Sequence, residues 1–199
     1  MDMTVRCRCG QVRGAARTER AYTRATCYCR DCRAYARFLG GSDLLDAHGG
    51  TDVVPIAPTG LRLIAGLEAL ACVSLGPRGL LRWYAACCRA PIANTPRQAQ
   101  TPYVGLFGAA FDAPSAAMDE TFGPRGTLVI HAGSATGEVA PTRWRFVIGG
   151  LRIVTGMTAA RLRGEPPAPF FDATGRPIRH VRELTRAERD ALGDAPAAH

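Results

Sequence analysis

Cys27-Tyr28-Cys29-Arg30-Asp31-Cys32 sets three thiols within six residues, at a spacing that suits one metal ion. Side chains alternate along an extended segment, so Cys27 and Cys29 share a face while Tyr28 points away. A turn through Arg30 and Asp31 then brings Cys32 to the same point, as in the C-x-x-C knuckle of zinc sites. Three thiolates are one short of the four that close a tetrahedral structural site. The fate of the fourth position decides whether the run is a staple or a reactive centre.

Working outward, the chain carries two more cysteine groups. Upstream, Cys7-Arg8-Cys9-Gly10 is another pair able to share a face, followed by a glycine that permits a tight turn. Downstream, the adjacent Cys87 and Cys88 end an aromatic strand. Successive side chains diverge, so at least one of the two is expected to complete a site. Cys7 and Cys9 can share a metal with Cys87 and Cys88 or with the central run; both pairings are open. Cys72 sits among apolar residues and reads as a small buried hydrophobe.

The chain has 199 residues and an apolar fraction of 47%, enough for one globular domain with a real core. No apolar run approaches the roughly 18 to 20 residues of a membrane span. The start lacks the apolar stretch of a secretory signal. A cytoplasmic protein is the expectation, and there thiols stay reduced, so eight cysteines read better as metal ligands than as disulfides. The net charge is +8, and all 25 basic residues are arginine. That charge is spread along the chain with few aromatics among it, which argues against nucleic acid as partner. A small thiol or anionic substrate fits better, because guanidinium groups bind carboxylate and phosphate bidentately.

Turn signals organise the rest. Short strands are expected near residues 4–7 and 11–17, and a helix over 33–39, capped by Asp31 and stopped at Gly40-Gly41. Residues 53–56, 61–64, 70–75 and 80–86 read as an antiparallel meander holding the core, with Asn94 to Pro102 as a loop. Residues 103–107 extend the sheet, and 127–131 form a further strand ending at His131, read as an ordinary polar residue rather than a ligand. Ser115 caps a short helix through Phe122. Residues 142–163 read as a basic amphipathic helix capped by Thr142. Its apolar residues are Trp144, Val147, Ile148, Leu151, Val154 and Leu162. It is expected either to pack on the sheet with snorkelling arginines or to make peripheral contact with lipid or an acidic partner. Phe170 and Phe171 read as an anchor, Thr185-x-x-Glu188 as a capping box, and 193–199 as a frayed tail.

Cys7-x-Cys9-Gly10, Cys27-x-Cys29-x-x-Cys32 and the aromatic strand ending at Cys88 before Pro91-Ile92 together resemble the glutathione-dependent formaldehyde-activating enzyme (GFA) family, which includes CENP-V-like proteins. The resemblance implies a mainly β (α+β) fold, a zinc-containing β-tent of small antiparallel sheets. Residues 1–95 would be that core, and 96–199 a partly helical C-terminal extension that completes the sheet. It implies one or two zinc ions per chain. Cys7, Cys9 and Cys88 would belong to the structural site, and Cys27, Cys29 and Cys32 would hold a catalytic zinc. Ala85 stands where the family has the first cysteine of its late pair, Arg89 where it has a glycine, and Tyr28 where histidine is common. Cys87 takes over as fourth ligand across a bulge, or that ligand comes from elsewhere or is absent.

Two functional readings follow. One is a carbon–sulfur lyase or adduct-forming enzyme acting on a thiol at the three-cysteine site, with Arg30, Arg33 and Arg89 placed in sequence to clamp substrate carboxylates. The other is a non-enzymatic zinc-binding scaffold or interaction module.

Overall fold

A computed structural model describes residues 2–193. In chain order its elements are β1 (Asp2–Arg6), β2 (Arg13–Arg17), β3 (Ala25–Cys27), α1 (Arg30–Leu39), β4 (Thr51–Ile56), β5 (Leu61–Ala65), β6 (Leu70–Ser74), β7 (Leu81–Ala85), β8 (Ala90–Thr95), β9 (Val104–Phe107), α2 (Ser115–Phe122), β10 (Val129–Ile130), α3 (Arg143–Leu162), β11 (Val181–Glu183) and α4 (Arg186–Ala191). The fold is α+β and mostly sheet. Three strands, in order β1-β2-β5, make a small antiparallel sheet, and eight, in order β10-β3-β4-β9-β8-β7-β6-β11, make a large one. The large sheet is antiparallel except at its ends, where β10 and β11 lie parallel to β3 and β6.

Period-two alternation assigns each strand residue to one of two cores. Val54, Cys72 and Leu106 face the small sheet, where they meet Val5, Val12, Ala16 and Leu61. Their neighbours Val53, Val73 and Phe107 face α1, where they meet Ala34, Tyr35 and Leu39. Both faces of the large sheet are therefore covered, which is why β8 and β9 are buried along their whole length. Trp83 centres the first core, with its indole N–H donated to Thr95 Oγ1 at 2.9 Å. Phe170 stacks on Trp83 at 4.8 Å between ring centroids and Phe171 meets it edge-on at 6.4 Å, the anchor read from that pair.

Several local expectations change. The strands at 51–56, 61–65, 70–74 and 81–85 exist, but they are not one meander: β5 leaves to pair with β2, and β4 pairs with β3 and β9. A two-residue period says which face a side chain takes and nothing about which strand lies alongside. Asn94 and Thr95 belong to β8 rather than to a loop. Cys29, not Asp31, is the N-cap of α1, and Asp31 pairs with Arg189 at 2.8 Å. Pro114 rather than Ser115 occupies the N-cap position of α2. Thr142 does not cap α3 through its side chain; Oγ1 accepts from the Val129 N–H at 2.9 Å and ties the helix start to β10. The capping box of Thr185 and Glu188 is present. Of the tail expected to fray, residues 194–199 lie outside the described residues.

Helix α3 turns its small residues inward. Gly149 and Ala160 are buried, Gly149 against Leu128 and Gly156 against the Tyr22 ring. Trp144, Val147, Ile148, Leu151, Val154 and Leu162, the stripe expected to pack on the sheet, are all more than half exposed. Among the described residues, no helix is long and apolar enough to cross a membrane.

Candidate metal centres

Two tight turns from different sheets meet at the first cluster. Cys7 and Cys9 lie in the β1–β2 turn, and Cys87 and Cys88 in the four-residue turn from β7 to β8. All four sulfurs lie within 4.8 Å of one another. Cys9 Sγ is 3.2 Å from Cys87 Sγ and 3.5 Å from Cys7 Sγ, and Cys87 Sγ is 3.9 Å from both Cys7 and Cys88. A tetrahedron of sulfurs around zinc, at about 2.3 Å from the ion, has edges of about 3.8 Å. The two adjacent cysteines both reach the cluster because they sit in a turn, where the alternation of a strand does not apply.

Each turn is closed by a residue of positive φ after its second cysteine, Gly10 at 78° and Arg89 at 57°. The Gly10 N–H bonds Cys7 O at 2.9 Å and the Arg89 N–H bonds Ala85 O at 2.8 Å. The Val12 N–H donates to Cys7 Sγ at 3.2 Å. Loss of water and the crowding of Cys9, Cys7 and Cys88 push the Cys87 thiol up to about 12. Sulfurs this close cannot all ionise without a cation among them.

The second cluster joins the end of a strand to the start of a helix. Cys27 is the last residue of β3, Cys29 caps α1, and Cys32 lies in its first turn. Their sulfurs also lie within 4.8 Å of one another. The Cys32 N–H donates to Cys29 Sγ at 3.4 Å; the bond from Cys27 and this one favour thiolate, but the Cys32 sulfur and burial outweigh them and raise the Cys29 thiol. Tyr28, between the first two cysteines, is buried on the other side and its hydroxyl donates to Asp46 Oδ2 at 2.9 Å. Asp46 Oδ1 in turn accepts from the His48 and Gly50 N–H groups. The C-x-C segment is thus clamped to the 46–50 loop, and the Tyr28 N–H joins it to β10 through Ile130 O at 2.9 Å. Among the described residues, no histidine, carboxylate or further cysteine joins this group of three.

The large sheet supplies the surroundings. Trp83 faces the small sheet, so its neighbour Arg82 faces α1 and is buried there. Arg82 Nη1 lies 3.9 Å from Cys32 Sγ and 3.3 Å from Asn94 Oδ1, with the guanidinium 5.2 Å from the Tyr35 ring centroid. Burial alone would lower the Arg82 pKa, but the sulfurs of Cys32 and Cys29 outweigh it and raise it. Within the trio the charge settles on Cys32. Hydrogen bonds from Cys27 and Cys29, with Arg82 nearby, hold its thiol well below the ordinary value, while Cys27 is raised by its bonds to the other two. Tyr103 lies near the same cluster; burial first, then Cys27 and Cys32, push its phenol up, so its hydroxyl keeps its proton. Every donor in both groups is sulfur, a set that suits a soft ion such as zinc rather than calcium or magnesium.

Other candidates go elsewhere. Arg33 is buried and donates to the carbonyls of Tyr28 and Ser134. Arg89 donates to the carbonyls of Leu39 and Phe38, capping the C-terminus of α1. Neither is aimed at a substrate. Arg30 is exposed and lines a cleft of about 470 Å³ with Arg37 and Arg189. His131 is exposed and belongs to neither cluster, and Cys72 is 2% exposed in the core. Sequence reading missed Arg82 and Tyr103. An arginine inside the apolar strand 81–85 is the signal for the first; nothing marks Tyr103.

A family model described as "Family of unknown function (DUF6151)" matches residues 2–181. No curated protein matches the chain. Among solved structures, a structural-genomics crystal structure of a Rhodobacter sphaeroides protein is similar at 20% identity and a TM-score of 0.42, covering 62% of this chain and 99% of that one.

Proposed function

We propose that this chain, which belongs to the DUF6151 family of unknown function, is a two-site zinc protein whose three-cysteine site binds a thiol substrate. The observation that carries this reading is the difference between the two clusters. One has four sulfurs and is complete; the other has three and no fourth donor among the described residues. Zinc in structural sites takes four ligands, and sites that keep a position for substrate hold three from the protein.

In this reading Cys7, Cys9, Cys87 and Cys88 pin the small sheet to the large one. Cys27, Cys29 and Cys32 hold the second ion. Bound there, zinc supplies a Lewis acid that lowers the pKa of a thiol it binds. Three thiolates and one divalent ion carry a net charge of −1, and buried Arg82 offsets it. The Tyr28–Asp46 contact keeps Cys27 and Cys29 on one face. The chemistry is the one the GFA resemblance implies: addition of a thiol sulfur to a small aldehyde such as formaldehyde, the thiol proton ending on the carbonyl oxygen, or the reverse cleavage of that carbon–sulfur bond. All eight cysteines fall in the proposed core, residues 1–95, and all are unpaired thiols, which fits the reducing cytoplasm.

Metal analysis of the purified protein tests the reading first. Two zincs per chain are expected, falling to one in Cys29→Ser with the fold retained. Loss of folding in that variant would make the second ion structural. Carbon-13 NMR of formaldehyde with glutathione then measures adduct formation, and a rate no faster than the uncatalysed one removes the enzymatic part. What remains is the second reading, a non-enzymatic zinc scaffold. It is favoured by Arg33 and Arg89, which are engaged with backbone carbonyls and not presented to a ligand.

A further inference from the structure

We propose that the outer face of α3 docks the protein on an anionic lipid surface, independently of any chemistry at the cysteines. At 100° per residue, Gly149, Ile153, Gly156 and Ala160 fall on one line, and that line faces the body of the protein. The opposite line carries Trp144, Val147, Leu151, Val154 and Leu162, exposed by 80%, 57%, 61%, 61% and 83%. Arginines flank this face: Arg143 and Arg161 on one side, and on the other, beyond half-exposed Ile148, Arg145, Arg152 and Arg163, all exposed. No acidic residue occurs between Arg143 and Gly164.

The helix is also fixed in place. Its start is tied by the Val129 N–H to Thr142 Oγ1, and just beyond its end Glu165 pairs with Arg20 and accepts from Thr59 Oγ1 at 2.7 Å. An apolar face held outward by such ties is a built surface rather than a stripe waiting to fold inward. Its layout matches an interfacial helix. The apolar line enters the acyl boundary, and arginines on both flanks lay their stems along it and reach headgroup phosphates. A second copy fits less well. Two α3 faces laid together bring arginine rows against arginine rows, with no carboxylate on either helix to answer them.

The test uses the full-length, metal-loaded chain with vesicles of phosphatidylcholine alone and of equimolar phosphatidylcholine and phosphatidylglycerol. Cosedimentation is expected with the anionic vesicles only, weakening as salt rises. Trp144 emission should shift to the blue on binding; Trp83, fully buried, should not respond. Val147→Asp/Leu151→Asp alters two exposed side chains, so its circular dichroism and zinc content should be unchanged while vesicle partitioning falls by about tenfold or more. The proposal is overturned if anionic vesicles do not bind the protein, or if the double variant binds them equally. It is likewise overturned if sedimentation velocity shows a dimer that the double variant disperses, or if polyglutamate, and not vesicles, shifts Trp144 emission.

Discussion

Arg82 and Cys32 are partners in a place neither shares with water: the Nη1 and Sγ atoms are 3.9 Å apart, with the residues 3% and 5% exposed. Among the described residues, the guanidinium's other contacts are neutral, Asn94 Oδ1 and the face of Tyr35. Buried arginine needs an anion, and Cys32 is the one it faces.

If both cysteine groups hold zinc as proposed, Arg82→Met should weaken metal binding at the three-cysteine site by roughly 10- to 100-fold, as outer-shell changes do, while the four-cysteine site keeps its ion. Competition with a colorimetric chelator reads this as two release phases in the native protein and an earlier first phase in the variant. Cys32→Ala has a further cost, because it removes the sulfur nearest buried Arg82 and leaves only the more distant Cys29 to answer its charge, a loss of up to about 3–5 kcal/mol. It should melt well below Cys29→Ala, which removes a proposed metal ligand but leaves the Arg82–Cys32 pairing. Equal melting temperatures would show that Arg82 has another anion.

The central run Cys27, Cys29 and Cys32 and the Cys7–Cys9 pair could be read from sequence because C-x-C and C-x-x-C spacings act through local geometry that needs no knowledge of the fold. The pairing of Cys7 and Cys9 with Cys87 and Cys88 was open, since it depends on how the small sheet seats on the large one. The strands themselves were legible from alternation and turn residues, but β5 beside β2 and β9 beside β4 are contacts between distant segments with no local mark. Helix α3 misleads for a physical reason. A stripe of large apolar residues normally faces the core, yet here Gly149, Gly156 and Ala160 allow close approach on the other side.

That packing separates two glycines six residues apart. A Cβ at Gly150 would meet nothing within 4 Å, so Gly150→Ala gains helix propensity and stabilises by about 0.5–1 kcal/mol. A Cβ at Gly156 would lie 2.4 Å from Tyr22 Cε1, and that ring is tethered by its hydroxyl bond to Pro102 O at 2.9 Å. Gly156→Ala must then displace α3, at a cost of about 1–3 kcal/mol that exceeds the propensity gain. Urea denaturation should move the two midpoints in opposite directions; a shared direction would mean that α3 is not seated on Tyr22.

Arg89 stands at φ 57°, a left-handed conformation that costs a non-glycine residue about 1 kcal/mol. What offsets it is the reach of its guanidinium to the last carbonyls of α1, with the group 5.2 Å from the Phe38 ring centroid. Arg89→Ala keeps the strain and loses the bonds, so it should destabilise by about 1–3 kcal/mol. Arg89→Gly loses the bonds but releases the strain and should recover about 1 kcal/mol of that loss. The expected melting order is native, then Arg89→Gly, then Arg89→Ala. If the two variants melt together, backbone strain at the knuckle contributes nothing.

The anchor beyond α3 should make stability depend on acid. Burial by itself would raise the Glu165 carboxyl, but hydrogen bonds from Arg20, Thr59 and Arg163 prevail and hold it at about 2, against an ordinary value of 4.5. A carboxyl whose pKa is lower in the folded chain stabilises that chain fully at pH values above its unfolded pKa. The contribution is lost as pH falls from about 4.5 through about 2, below which folded and unfolded chains bind the proton alike. Glu165→Gln keeps the shape and removes the charge, so the native protein should exceed the variant in urea midpoint at pH 6, with the gap closing steadily below pH 4.5. Hydrogen exchange at residues 157–163 should quicken in the variant at pH 6, because this contact ties the end of α3 to Arg20 and Thr59. A gap in midpoint that stays constant down to pH 2 would mean that Glu165 acts by shape and hydrogen bonding alone, without its charge.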